Sequence, residues 1–171
     1  MSSSFSKVVT IPNSLYQSQE GNYFVGQTPK LHLKNDHSYG GLLNPRKSGV
    51  NLFVNVFTIT NFSKQPIVAE IWLDAKPQDK WRTSNHVKNT NMRISPSPCS
   101  PVKLIYHEHV KPLQGGVNVF DRVIPGNSTV VAEEDGKYIL PPDSFFLLKL
   151  KSMSSDVVNA AIAFGWWIRR K

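Results

Sequence analysis

The two histidines at positions 107 and 109 have the spacing that comes nearest to a metal site. Side chains two residues apart on a strand point to the same face, so His107 and His109 could grip one ion. No third ligand follows at short spacing, and the other three of the five histidines lie far away in the sequence. The sequence therefore favours two surface histidines, and it predicts no metal and no other cofactor.

A second candidate for chemistry is Cys99, the single cysteine of the chain. One cysteine excludes a disulfide within the chain and a cysteine-based zinc cage. A catalytic thiol needs a nearby base and a lowered pKa, and the flanking serines and prolines supply neither. Two interpretations of Cys99 remain open: an ordinary exposed thiol, or a disulfide between subunits.

The acidic run at residues 133–136, Glu-Glu-Asp-Gly, could offer carboxylate oxygens to calcium. It lacks the spaced oxygen donors of a calcium loop, and acidic residues before a glycine are typical of a tight hairpin turn. We therefore expect a turn here. No nucleophile elbow, phosphate-binding glycine loop or paired-carboxylate motif occurs elsewhere, so the sequence predicts that the protein is not an enzyme.

Two tryptophans are candidates for binding a ligand, because flat indole rings stack on the faces of sugars. Trp81 lies in a polar stretch, and Trp167 lies in the aromatic run Phe-Gly-Trp-Trp-Ile at residues 164–168. On a final strand that buries Trp166, Trp167 would point outward. Core packing and a carbohydrate platform both remain open for Trp167.

The charge is strongly basic, with 20 Lys and Arg against 12 Asp and Glu and a net charge of +8. The cations are spread along the chain, apart from a short cluster at residues 169–171. Dispersed cations are typical of solubilising charge, so the sequence argues against nucleic acid as a partner.

Strand-like runs dominate the chain, and none of its segments has a convincing helical period. The clearest run, residues 50–60, has two alternate sets of side chains that are both largely apolar: Leu52, Val54, Val56 and Thr58, and Phe53, Asn55, Phe57 and Ile59. Glycine, proline, asparagine and aspartate separate the runs, as expected for turns. We expect further strands at residues 67–73, 102–106, 117–124, 128–132, 137–140, 144–151 and 157–168, with others within 5–11 and 22–33.

This pattern predicts an all-β fold: a single-domain β-sandwich of about eight to ten strands, with a jelly roll as the favoured arrangement. The sandwich is expected to span residues 26–171, with a long proline-rich surface loop at 74–101. No run approaches the roughly 18 apolar residues that span a bilayer, and the start lacks a conventional signal sequence. We therefore expect no membrane insertion and synthesis in the cytoplasm.

Residues 1–25 are predicted to form an extended arm that docks through scattered apolar side chains. The arm either packs on its own domain as an edge strand or adds as a strand to a neighbouring subunit. The apolar anchors that we assign to subunit contacts are Phe5, Val8, Val9, Ile11, Leu15 and Tyr16.

Four motifs resemble a family of uncharacterised proteins of similar length from spore-forming bacteria, over roughly residues 25–168. They are the runs at residues 41–45, 116–122, 127–138 and 163–167. The family has no assigned activity, so no catalytic residue carries over. In architecture the chain is also similar to the jelly-roll subunits of spore appendages, which assemble by strand addition and are often crosslinked by cysteines in the amino-terminal extension. This chain has no cysteine in its arm.

These observations predict a structural, self-assembling subunit of a fibre or layer, located on the spore surface or outside the cell, whose arm adds to a neighbouring copy. Two alternatives stay open. One is a β-sandwich module that binds carbohydrate or a surface through exposed aromatic side chains. The other is a capsid-like shell protein.

Overall fold

The computed structural model describes residues 8–34 and 37–170. These residues form one short helix and twelve strands. In chain order the elements are α1 (Asn13–Gln19), β1 (Tyr23–Gln27), β2 (Leu31–Leu33), β3 (His37–Asn44), β4 (Val50–Asn61), β5 (Ile67–Leu73), β6 (Arg82–Thr83), β7 (Val87–Asn89), β8 (Lys103–His107), β9 (Val117–Ile124), β10 (Ser128–Leu140), β11 (Ser144–Ser152) and β12 (Val158–Arg170).

The strands form two six-stranded antiparallel sheets that pack face to face, which confirms the predicted β-sandwich. Sheet A has the order β10-β4-β12-β1-β7, with β2 also paired to β12, and sheet B has the order β6-β8-β3-β11-β5-β9. The pairing is nested: β1 pairs with β12, β3 with β11, β4 with β10 and β5 with β9. The first half of the chain thus pairs with the second half in reverse order.

The main core lies between the sheets, and β4 and β12 supply its largest side chains. Trp166 is completely buried, and Phe57 packs 5.9 Å from Phe146 of the opposite sheet, measured between ring centroids. Asn55 is an extra residue in β4, because Val56 pairs with Gly165 while Val54 pairs with Trp166. At this bulge, the side chains that face the core change from the even-numbered to the odd-numbered positions of the strand. The buried side chains are therefore Leu52 and Val54 from one alternate set, and Phe57 and Ile59 from the other.

A second apolar cluster covers the outer face of sheet B. Its buried members include Tyr39 and Leu147 from the sheet, together with Ala75 from the segment that follows β5. That segment pairs with the chain after β8, because Lys76 and Gln114 exchange two backbone hydrogen bonds of 2.9 Å. Part of the stretch predicted as a surface loop at 74–101 is therefore a lid on sheet B, and another part forms the short strands β6 and β7.

The predicted arm at residues 1–25 includes a helix that the sequence did not indicate and the start of the strand expected within residues 22–33. Helix α1 follows Pro12, and Gly21, with a positive φ of 72°, ends it in a conformation that favours glycine. Strand β1 then begins at Tyr23 and pairs with both β12 and β7. The extended part of the arm therefore ends at residue 12. Residues 8–11 form no strand, and the rest of the strand expected at 5–11 lies outside the described residues.

Candidate assembly interface

The two flanks of the sandwich differ in how their sheet edges are protected. On one flank the edge strands are β6 and β7, only two and three residues long, next to a proline-rich segment. Short strands and prolines are devices that prevent pairing with another chain. The other flank ends in β9 and β10, which are eight and thirteen residues long. Long unpaired edges of this kind are templates for strand addition.

Strand β9 is the more open of the two long edges. It pairs with β5 on one side, and none of the described strands pairs with its other side. Three of its five apolar side chains are largely accessible, with exposed fractions of 62% for Val117, 51% for Phe120 and 63% for Val123, whereas Ile124 is buried and Val119 packs against the core. The guanidinium of Arg122 lies 5.7 Å from the ring centroid of Phe120. An apolar edge with free main-chain groups is the feature that a docking strand requires.

Strand β10 is interrupted by the acidic run, which is not the hairpin turn that the sequence indicated. Glu133 pairs with Val56 and Tyr138 with Val54, so residues 134–137 bulge out of one continuous strand. Positive φ angles at Asp135 and Gly136, of 50° and 76°, shape the bulge. A charged bulge disrupts an edge for pairing. Strand β9 also has a bulge, of one residue at Val119, but its residues 120–124 pair regularly with β5, so β9 is the less disrupted edge on this flank.

Trp167 lies beneath this bulge and is only 3% exposed. Its ring stacks on Phe53 at 5.5 Å and on Tyr23 at 6.4 Å between centroids, and a Cβ on Gly136 would lie 2.1 Å from the indole. Trp167 therefore has no accessible ring face for a ligand, which corrects the carbohydrate-platform alternative and supports core packing. The sequence missed this because the cover comes from a bulge on a neighbouring strand.

Trp81 differs from Trp167, because 39% of its surface is accessible. Its ring meets Phe145 edge-on, at 5.9 Å between centroids, on the covered face of sheet B. Trp81 is thus partly accessible, and its role as a ligand contact stays a prediction.

The described residues ahead of α1, residues 8–12, have their apolar side chains exposed. Val8 is 81% exposed, Val9 72% and Ile11 41%. Leu15 and Tyr16 are also exposed, but they lie on α1 rather than on an extended segment, and Phe5 lies outside the described residues. Residues 8–12 therefore form no edge strand of their own domain, whereas residues 23–25 belong to β1 within sheet A.

Helix α1 anchors the point where the arm leaves the sandwich. Gln17 is buried, the hydroxyls of Ser18 and Thr90 share a 2.8 Å hydrogen bond, and Asn91 Nδ2 donates to the carbonyl of Gln19 at 2.8 Å. These contacts hold the C-terminal end of α1 against the residues that follow β7. The arm thus has a defined origin close to β1 and β7.

Cys99 is a free and exposed thiol in the segment between β7 and β8. Its exposure fits both an ordinary surface thiol and a contact between subunits.

Glu108, which lies between His107 and His109, forms a structural clamp with His32. Glu108 Oε1 accepts hydrogen bonds from the backbone N–H of His32 at 2.7 Å and from its ring Nδ1 at 2.9 Å. Partial burial raises the pKa of Glu108, but the hydrogen bonds from His32 and the nearby charge of His109 outweigh it and hold that pKa below its usual value. The contact ties the end of β2 in sheet A to the segment after β8 in sheet B. Among residues 8–34 and 37–170, no three metal-ligating side chains gather into a site.

Replacing Glu108 with glutamine is expected to lower the free energy of unfolding at pH 7 by about 1 kcal/mol, because the acceptor loses its charge. A lowered carboxyl pKa stabilises the fold above the ordinary value of 4.5, and this contribution disappears as the pH falls through the folded pKa. The variant should therefore lose less stability than the wild type on acidification below about pH 4.5. Urea unfolding at pH 7 and pH 3.5 measures both effects, with the exposed Glu20→Gln as the control. Parallel pH profiles for the wild type and Glu108→Gln would contradict the clamp.

Over the described residues, these features define a β-sandwich protein with an accessible sheet edge at β9 and exposed apolar side chains within residues 8–11. The described helix is too short and too polar to cross a membrane. The chain belongs to a family of unknown function, DUF6143, which it matches over residues 2–171. Comparison with curated proteins and with solved structures gave no match.

Proposed function

We propose that this protein is a self-assembling structural subunit, and that residues 1–12 of one copy add as a strand to the β9 edge of the next. The observation that carries the proposal is the presence, in the same chain, of an exposed apolar arm and an open apolar edge. Strand addition would satisfy the free main-chain groups of β9 and cover the apolar side chains of both partners. The assembly is a fibre or layer on the spore surface or outside the cell.

The dimensions of the two elements are compatible. Twelve extended residues reach about 40 Å, whereas the eight residues of β9 span roughly 26 Å, so the arm can cover the edge and still keep a linker. Phe120 and Val123, an odd number of residues apart, point to opposite faces of β9. Val8 and Val9 of an added strand would likewise point to opposite faces, which gives each face an apolar cross-strand pair.

The nested strand pairing supports a jelly-roll topology for the subunit. In a jelly roll, eight antiparallel strands form two packed sheets through Greek-key connections, an architecture that recurs in proteins building shells. The pairs β1/β12, β3/β11, β4/β10 and β5/β9 supply these eight strands. An arm-to-edge contact joins two different surfaces, so it produces an open filament unless rotation closes a ring or shell.

Deletion of residues 1–12 is expected to convert large assemblies into monomers without unfolding the domain. The deletion must stop before α1, because removal of residues 1–25 would take away the start of β1, which lies inside sheet A. Negative-stain microscopy and size-exclusion light scattering measure assembly, and thermal melting checks the fold. The double variant Val9→Asp and Ile11→Asp should act like the deletion, whereas Met92→Asp, at a position 84% exposed in the segment after β7, should assemble normally. Assembly that survives the deletion would contradict the proposal, as would a wild-type protein that stays monomeric.

A carbohydrate- or surface-binding module remains a second candidate, supported by the exposed ring of Trp81. This candidate predicts that the wild type binds a glycan and that Trp81→Ala abolishes this binding. A glycan array with no signal for the wild type would count against it.

A further inference from the structure

We propose that the outer face of sheet A carries a binding groove for an anionic amphiphile, a small molecule with a medium-length apolar tail and one carboxylate. The groove has a volume of about 440 Å³ and crosses β7, β1, β12 and β4. Ligand pockets of proteins commonly have volumes of roughly 300–1,000 Å³. The groove lies on a sheet face, so this inference does not rest on the arm or the β9 edge.

Small side chains on β12 form the floor of the groove. Ala163 and Gly165 both line it, between Val25 of β1 on one side and Val56 of β4 on the other. A Cβ on Gly165 would come within 2.5 Å of Tyr23 Oη and 2.8 Å of Val56 Cγ1. Tyr23 and Val56 therefore close over Gly165, and the groove, which is lined mainly by apolar atoms, continues over Ala163.

Other segments of the chain cover the outer face of sheet B, whereas part of the outer face of sheet A stays exposed. On sheet B, segments after β5 and β8 cover the face and bury Tyr39 and Leu147 completely. On sheet A, the bulge of β10 covers Trp167, whereas Val25 in the groove remains 41% exposed. The apolar groove is thus a surface that the described chain leaves open to a ligand.

The charges around the groove favour an anion at one end. His86 and Lys88 line the β7 end, and Lys88 forms no ion pair within the part of the chain that the structure describes. No Asp or Glu lines the groove, and Glu133, paired with Val56, lies beyond its far end. From β7 to β4 is about 14 Å, three strand spacings. A carboxylate at Lys88 would therefore place its apolar tail along Ala163 towards β4.

Decanoate is the probe for this site, and its uncharged counterpart decanol tests the role of the carboxylate. Isothermal titration calorimetry should show binding of decanoate to the full-length wild type. Ala163→Phe fills the floor and should reduce decanoate affinity at least tenfold. Ala161→Phe is the matched control, because Ala161 lies two residues away on the same face of β12, outside the groove, and it should bind as the wild type does.

The charge assignment is tested by Lys88→Gln against Lys47→Gln, an exposed lysine of the turn between β3 and β4. Lys88→Gln should weaken decanoate binding about two- to fivefold and leave decanol binding unchanged, as expected for one exposed ion pair. If thermal melting shows that Ala163→Phe does not fold, the comparison of Lys88→Gln with Lys47→Gln still tests the proposal.

Three results would overturn the proposal: no decanoate binding to the wild type, equal binding by Ala163→Phe and Ala161→Phe, or equal effects of the two lysine variants. Light scattering gives a further decisive outcome. If Ala163→Phe, but not Ala161→Phe, abolishes self-association, then the occupant of the groove is a second copy of the chain and not an amphiphile. Loss of assembly in the arm deletion alone would leave the groove proposal intact.

Discussion

Replacing Trp166 with alanine is expected to lower the free energy of unfolding by about 3–5 kcal/mol, the usual cost of removing a large buried aromatic side chain. Trp166 is completely buried between the sheets and stacks on Phe24 at 6.1 Å between centroids. A loss of this size is a large share of the ~5–15 kcal/mol that stabilises a typical domain. Guanidinium unfolding followed by far-UV circular dichroism measures it.

Trp81→Ala is the matched control for this prediction, because the same side chain is removed from a site where 39% of its surface is accessible. We expect a loss below about 1.5 kcal/mol. Similar losses for the two variants would mean that Trp166 does not occupy the centre of the core.

Replacing Gly41 with alanine is expected to destabilise the protein by about 3 kcal/mol, at the upper end of the range for overpacking. A Cβ at this position would lie 2.3 Å from the backbone oxygen of Phe146 and 3.0 Å from the Cα of Leu147. Neither atom can move without displacing β11, the partner of β3. Thermal or denaturant unfolding measures the effect.

Gly115→Ala separates this steric effect from the general cost of replacing a glycine. Gly115 has a positive φ of 65°, but no atom lies within 4 Å of the position of its Cβ. Its replacement should cost about 1 kcal/mol, from backbone conformation alone. A loss for Gly41→Ala no larger than that for Gly115→Ala would contradict the close approach of β3 and β11.

The strands that the sequence predicted well are those rich in β-branched and aromatic residues, such as β4, β5 and β11. Their local preference agrees with their place in the sheets. Strand β3 escaped prediction because Gly40 and Gly41 lower its strand propensity, although close packing against β11 requires the second of these glycines. Helix α1 escaped because it is a single seven-residue segment without an apolar stripe.

The two bulges on sheet A could not be predicted, because nothing local distinguishes them from a regular strand or a turn. Asn55 resembles any polar residue of an alternating strand, yet its insertion moves Phe57 into the core. The acidic run at residues 133–136 has the composition of a hairpin turn. It forms a bulge instead, because β10 continues along β4 on both sides of it and Gly136 packs on Trp167.

Part of the candidate interface could be predicted from the sequence. The apolar residues of the arm stand out against their polar neighbours, and the described ones are exposed. The β9 edge could not be predicted, because the position of a strand at the edge of a sheet depends on topology. The run at residues 117–124 has the same apolar character as an inner strand, and only the nested pairing places β9 at the end of sheet B.

The most direct test of the assembly proposal is to crosslink the arm of one copy to β9 of another. Subunits with Ile11→Cys are mixed with subunits with Val123→Cys, both in a Cys99→Ser background, and treated with a short bismaleimide. The proposal predicts a two-chain product that contains one copy of each variant. Lys103→Cys, an exposed position on β8 near the protected flank, is the control partner. Equal yields with Val123→Cys and Lys103→Cys, or no mixed product, would contradict the account.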